Sequence, residues 1–74
     1  MAETNLDLRG LKCPLPALKT RKALTKLRAG DELVVECTDP LSSVDIPNLL
    51  RETGDQLVDQ KRAEDRLVFR IRKS

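Results

Sequence analysis

Pro14 and Pro16 stand where the apolar rhythm of the chain changes from alternate residues to every third or fourth. Before them, Leu6 and Leu8 alternate with Asn5, Asp7 and Arg9, the pattern of a short strand that ends at Gly10. After them, good helix formers run to about Arg28, and Ala17, Thr20, Ala23, Leu24 and Leu27 share one arc of a helical wheel with Cys13 at its N-terminal end. Proline is tolerated in a first helical turn because its missing N–H would have had no intrahelical partner. Pro14 therefore reads as the first helical residue and Pro16 as the third. The chain must pass from strand to helix within a few residues, and Gly10 permits that turn.

The same reading extends to the end of the chain. Ala29-Gly30-Asp31 closes the first helix, with Gly30 as its expected left-handed cap. Leu33-Val34-Val35-Glu36-Cys37 predicts a second strand with Leu33, Val35 and Cys37 on one face. Thr38-Asp39-Pro40 breaks it, and Ser42-Ser43-Val44-Asp45 has the spacing of a capping box that opens a second helix. Val44, Ile46, Leu49 and Leu50 supply the apolar positions of that helix. It houses Pro47 in its first turns and stops at Thr53-Gly54. Gln56 to Lys61 and Arg66 to Arg72 predict two further strands joined by a charged turn.

The resulting order is βαβαββ. A short helical crossover makes the first two strands parallel and the connection right-handed. The expected fold class is α+β, a two-layer α/β sandwich in which two helices cover one face of a four-stranded mixed sheet. No linker, repeat or low-complexity run divides the sequence, so residues 1–74 read as a single domain.

Composition removes many chemistries. A chain of 74 residues buries about 60% of its unfolded surface, so its core is thin and its chemistry should sit at the surface. With no histidine there is no Cys-His pair, no Ser-His-Asp triad and no Cys/His zinc cluster. A single aromatic, Phe69, argues against a base-stacking platform, and a net charge of +2 is too small to imply nucleic-acid binding. The opening Met1-Ala2-Glu3-Thr4-Asn5 has no basic and apolar leader, and no apolar run nears the roughly 20 residues that span a bilayer. A cytoplasmic protein with reduced cysteines is expected, binding neither membrane nor nucleic acid.

Against that background Cys13 is the candidate reactive group. A sulfur at a helix N-terminus meets unpaired N–H groups and the positive end of the helix dipole, which favour thiolate over thiol. Pro14 and Pro16 remove two of those donors, so the remainder, with Arg9 and Lys12, should give a moderately lowered pKa. The alternative is that Cys13 merely caps a proline-started helix, a role that Ser or Asp fills better.

Other features have two readings each. Cys37 is a buried core residue, a resolving thiol for Cys13, or a second acceptor; its core-face parity favours the first. Lys19, Lys22 and Lys26 make a basic stripe opposite the core arc, extended by Lys12, Arg21 and Arg28. Such a stripe is either a solvated helix face or a docking surface for an acidic partner or an RNA backbone. Leu15 and Leu18 fall outside the core arc, beside the thiol, and are candidates for an apolar docking spot. Arg66, Arg70, Arg72 and Lys73 make the end of the chain basic.

Leu6-Asp7-Leu8-Arg9-Gly10-Leu11-Lys12-Cys13-Pro14-Leu15-Pro16, followed in order by Arg21-Lys22, Gly30-Asp31, Thr38-Asp39-Pro40, Asp45-Ile46-Pro47 and Phe69-Arg70-Ile71-Arg72-Lys73, resembles the TusA/SirA family of sulfur carriers over nearly the whole chain. The resemblance implies a βαβαββ sandwich that takes persulfide sulfur from a cysteine desulfurase or rhodanese-like donor and passes it to a downstream acceptor protein. Destinations in the family include tRNA 2-thiouridine synthesis, molybdenum-cofactor assembly and sulfur oxidation. By position, Cys13 would bear the persulfide on a scaffold of Gly10, Pro14 and Pro16, with Leu15, Leu18, Lys19, Lys22 and Lys26 available for partner docking. Asp45 would cap the second helix. Asn48-Leu49-Leu50 and Asp55 depart from the aromatic or cysteine-bearing and histidine residues frequent in the family. Such a carrier acts as a relay rather than a stand-alone enzyme, needs no metal or cofactor, and is expected as a monomer. The rival classes are an RNA-binding or regulatory module, and a redox protein using a Cys13/Cys37 pair.

Overall fold

The computed structural model describes residues 3–12 and 15–74. In it the elements run β1 (Glu3–Leu8), α1 (Leu15–Leu24), β2 (Glu32–Cys37), α2 (Ser42–Thr53), β3 (Gln56–Ala63) and β4 (Arg66–Arg72), the predicted α+β order. β1 and β2 pair in parallel, as a helical crossover requires. β4 inserts between β2 and β3 and is antiparallel to both, so the sheet order is β1-β2-β4-β3.

Strand parity decides where the core lies. Along β2, Leu33, Val35 and Cys37 are fully buried, while Glu32, Val34 and Glu36 point to the other face. Leu8 of β1 and Phe69 and Ile71 of β4 join them on the inner side, where Leu24 of α1 and Ile46 and Leu50 of α2 close one cluster. Both helices therefore cover the same face, and each large side chain buried there contributes about 1.5–3 kcal/mol. The opposite face carries ion pairs across the strands. Arg70 donates to Glu32 at 2.6 Å and to Glu3 at 2.9 Å, Arg72 donates to Glu32 at 3.1 Å, and Arg66 donates to Glu36 at 3.1 Å.

Several local expectations need correction. β1 stops at Leu8, before the turn at Gly10. α1 ends at Leu24 rather than near Arg28, because the amides of Lys26 and Leu27 bond to carbonyls three residues back and tighten the chain into turns. Gly30 has the expected positive φ of 92°, yet it does not cap the helix: its N–H donates to the Lys73 carbonyl at 2.8 Å and ties this turn to the end of β4.

The capping box is also absent. Leu41 occupies the N-cap of α2 with no side-chain cap bond, and the Ser42 hydroxyl makes no hydrogen bond of ordinary geometry among the described residues, while Asp45 lies in the first turn of the helix. Instead the Asp39 carboxylate accepts the Leu41 N–H at 3.0 Å, and the carbonyls of Asp39 and Pro40 accept the amides of Ser42 and Ser43. Val44 is exposed rather than apolar packing, while Ile46, Leu49 and Leu50 are buried as expected. At the other end Gly54 is a left-handed cap with φ of 80°, and its N–H bonds to the Leu50 carbonyl. β3 extends to Ala63 and bulges between Leu57 and Asp59, leaving Val58 as the extra residue.

Candidate functional site

The carboxyl ends of the two parallel strands lie side by side, with Leu8 opposite Cys37. Ligands and reactive groups collect at such strand ends in α/β folds. From β1 the chain turns through Gly10, whose φ is 85°, and the Gly10 N–H donates to the Thr38 hydroxyl at 2.8 Å. That bond joins the segment leading to α1 with the loop leading to α2. Between them opens a cleft of about 520 Å³ walled by Gly10, Leu11, Lys12, Thr38, Pro40 and Leu41.

Cys13 and Pro14, the centre of the predicted motif, lie outside the described residues, as do the pKa expected for Cys13 and the place of Pro14 in the helix. The residues on either side of them are described. The Leu15 N–H donates to the Lys12 carbonyl at 2.9 Å. Pro16 lies in the first described turn of α1 and is fully buried, where its missing donor has no intrahelical partner. Its carbonyl accepts the hydroxyl of buried Thr20 at 2.7 Å, so this buried polar group is satisfied within the helix.

Cys37 is a core residue. It is fully buried as a free thiol, and burial raises its pKa above the ordinary value of 9.0, against a smaller opposing pull from the Ser42 hydroxyl. That hydroxyl makes no hydrogen bond of ordinary geometry among the described residues. A protonated, enclosed thiol is a poor resolving nucleophile, which counts against the redox reading.

The docking candidates divide into two surfaces. Leu15 and Leu18 are exposed at 44% and 55%. Leu18 faces α2, sharing a shallow cleft with Arg21, Asp45, Asn48 and Leu49. Lys19 and Lys22 lie on the other side of α1 and Lys26 in the turn beyond its end, and the three line a groove with Thr4 and Leu6 of β1 and with Ala23 and Leu27. The lysine row thus borders the sheet edge rather than standing opposite the core. Sequence reasoning missed Leu41 and Val44, exposed at 56% and 57%. An exposed leucine at an N-cap position where Ser or Asp would serve better is the signal that could have marked Leu41.

The basic end of the chain is largely neutralised. Arg66, Arg70 and Arg72 are paired with Glu36, Glu3 and Glu32, and Lys73 lies 3.6 Å from the buried Asp55 carboxylate. Little positive charge is left there for an RNA backbone. Asp55 also accepts the Ser74 N–H at 3.0 Å, so its departure from histidine concerns packing at the end of the sheet remote from Gly10. Among the described residues no three His, Cys, Asp or Glu side chains gather as a metal site, and no helix is long and apolar enough to cross a membrane.

Comparison with known proteins gives one answer. The family described as Sulfurtransferase TusA matches residues 4–73. The sulfur carrier protein TusA of Allochromatium vinosum is 38% identical over 72 residues, spanning 97% of this chain and 95% of that protein. A putative sulfur carrier protein of Neisseria meningitidis is 44% identical over 59 residues, 80% of each chain, and the putative sulfur carrier protein YrkI of Bacillus subtilis is 37% identical over 68 residues, 92% of this chain and 91% of its own. These names support a sulfur-carrier role, which implies sulfur-donating and sulfur-accepting proteins as partners. Since the match runs from within β1 to beyond β4, across every element that frames the cleft, the chain belongs to the TusA sulfurtransferase family.

Proposed function

We propose that this chain carries sulfur as a persulfide on Cys13, receiving it from a cysteine desulfurase or rhodanese-like protein and delivering it to an acceptor protein. The observation that supports the reading is the open cleft at the ends of β1 and β2, lined by Gly10, Leu11 and Lys12, the residues that immediately precede Cys13 in the sequence. A carrier needs an accessible thiol and a surface on which partners dock. It needs no base, because each step is a thiol exchange.

In loading, the Cys13 thiolate attacks the terminal sulfur of the donor persulfide. The bond from that sulfur to the donor cysteine breaks, a bond to the Cys13 sulfur forms, and the donor leaves as thiolate. Unloading repeats the exchange: an acceptor thiolate takes the outer sulfur and the Cys13 thiolate departs. No net oxidation occurs in either step. Leu15 and Leu18 on the first helix, with Leu41 and Val44 at the start of the second, offer the apolar contacts through which partners reach the thiol.

Incubation with a cysteine desulfurase and cysteine should add one reducible sulfur mass to the wild-type chain and none to Cys13→Ser. Equal sulfur gain by Cys13→Ser would overturn the assignment. Replacing Leu15 and Leu18 together by Ser should slow loading, while the urea midpoint shifts by no more than about 0.5 kcal/mol equivalent per site, since both side chains are exposed.

A further inference from the structure

β1 and β3 are the two edges of the sheet, and they are defended differently. β3 carries Lys61, Arg62 and a bulge at Val58, features that discourage another strand from pairing with an edge. β1 has neither lysine nor proline, pairs with β2 in unbroken register from Glu3 to Leu8, and among the described residues nothing pairs with its outer side. Such an edge is a template for an extended segment, because its outward N–H and C=O groups are already aligned.

A groove of about 440 Å³ runs beside this edge on the helix side. Leu6, Ala23 and Leu27 give it an apolar floor, and Lys19, Lys22 and Lys26 supply three exposed ammonium groups along it. A strand added to β1 would send alternate side chains to the two faces of the sheet. Those on the helix side would meet the lysines. Those on the other side would come beside Glu3 and Asp7, carboxylates already held by Arg70 and Arg9. Acidic residues are favoured at the first set of positions and disfavoured at the second.

We propose that the outer edge of β1, with Lys19, Lys22 and Lys26, docks an extended segment of a partner protein that carries acidic side chains at alternate positions and joins the sheet as a fifth strand. The idea deepens the docking role proposed for the first helix and rests on that reading of protein partners, but uses no atom of Cys13. The β1 edge supplies main-chain affinity, and the lysines select the alternation.

The test uses the full chain and three short acetylated peptides: alternating glutamate and threonine, alternating lysine and threonine, and the first peptide with its central threonines replaced by proline. The glutamate peptide should shift the amide resonances of β1 and of the lysine side of α1, and should protect β1 amides from hydrogen exchange. The lysine and proline peptides should not. Lys19→Glu, Lys22→Glu and Lys26→Glu combined should weaken glutamate-peptide binding roughly tenfold at low salt. Equal binding of the proline peptide, or of a uridine oligonucleotide at the same amides, would overturn the proposal, as would the absence of glutamate-peptide binding. Cys13→Ser should bind the peptide as wild type does, and loss of binding in that variant would also overturn it. If the wild type binds the peptide but takes no sulfur, the carrier reading fails and the strand-docking site stands.

Discussion

Gly10 and Thr38, 28 residues apart in the chain, are joined by a 2.8 Å hydrogen bond from the glycine amide to the threonine hydroxyl. This bond sets the distance between the segment that leads into the Cys-Pro-Leu-Pro motif and the loop that forms the far wall of the cleft. It is exposed, so water can replace the lost partner and the stability cost of breaking it is small. Thr38→Val should lower stability by about 0.5–1 kcal/mol, read from urea unfolding, yet slow sulfur loading of the wild-type Cys13 by more than that loss of fold explains. Thr38→Ser should restore both. A Val variant with unchanged loading would show that the position of this wall has no part in transfer.

Cys37 offers a separate check. It is fully buried and its pKa lies above 9.0, chiefly through burial, so at mildly alkaline pH it stays a protonated thiol that reagents reach only through opening of the fold. In Cys13→Ser, alkylation of Cys37 should be at least roughly a hundredfold slower than in the same chain unfolded in urea. The raised pKa also sets a sign. Stability from keeping this thiol neutral is present below pH 9.0 and is lost as pH rises through the higher folded value. Rapid labelling, or a Cys13 to Cys37 disulfide formed under mild oxidation with the fold intact, would restore the redox reading.

The parity of Leu33, Val35 and Cys37 is legible in the sequence because a strand buried on one face must alternate, and the left-handed cap at Gly54 is legible because few residues other than glycine accept φ of 80°. The end of α1 is not. Thr25, Lys26 and Leu27 all suit a helix, and the constraint on the following turn comes from Lys73 at the far end of the chain, which accepts the Gly30 amide. The start of α2 misleads for a related reason: Asp39 begins a turn of its own before the spacing of Ser42 and Asp45 can act as a capping box. At the site, helical periodicity places Lys19, Lys22 and Lys26 in one row but does not say what lies beside them. That depends on β4 inserting between β2 and β3, which leaves β1 at the edge, and such long-range pairing leaves no local pattern.

The open face of the sheet predicts how the fold responds to acid. Glu32 accepts hydrogen bonds first from Arg70 and then from Arg72, which hold its pKa below the ordinary 4.5, and Arg9 holds Asp7 below 3.8 in the same way. The unfolded chain therefore takes up these protons before the folded chain does. Their stabilisation is fully present above pH 4.5 and is lost as pH falls through the lowered folded values. The urea midpoint of the wild type should decline in that window, more gently at high salt because both carboxylates remain in contact with water. Glu32→Gln removes one of the two titrations and leaves Arg70 with Glu3 as its remaining carboxylate. The variant should be less stable than the wild type at neutral pH, and the gap should narrow on acidification. A gap that widens below pH 4.5 would mean that the Glu32 carboxylate is not held in its charged form by Arg70 and Arg72.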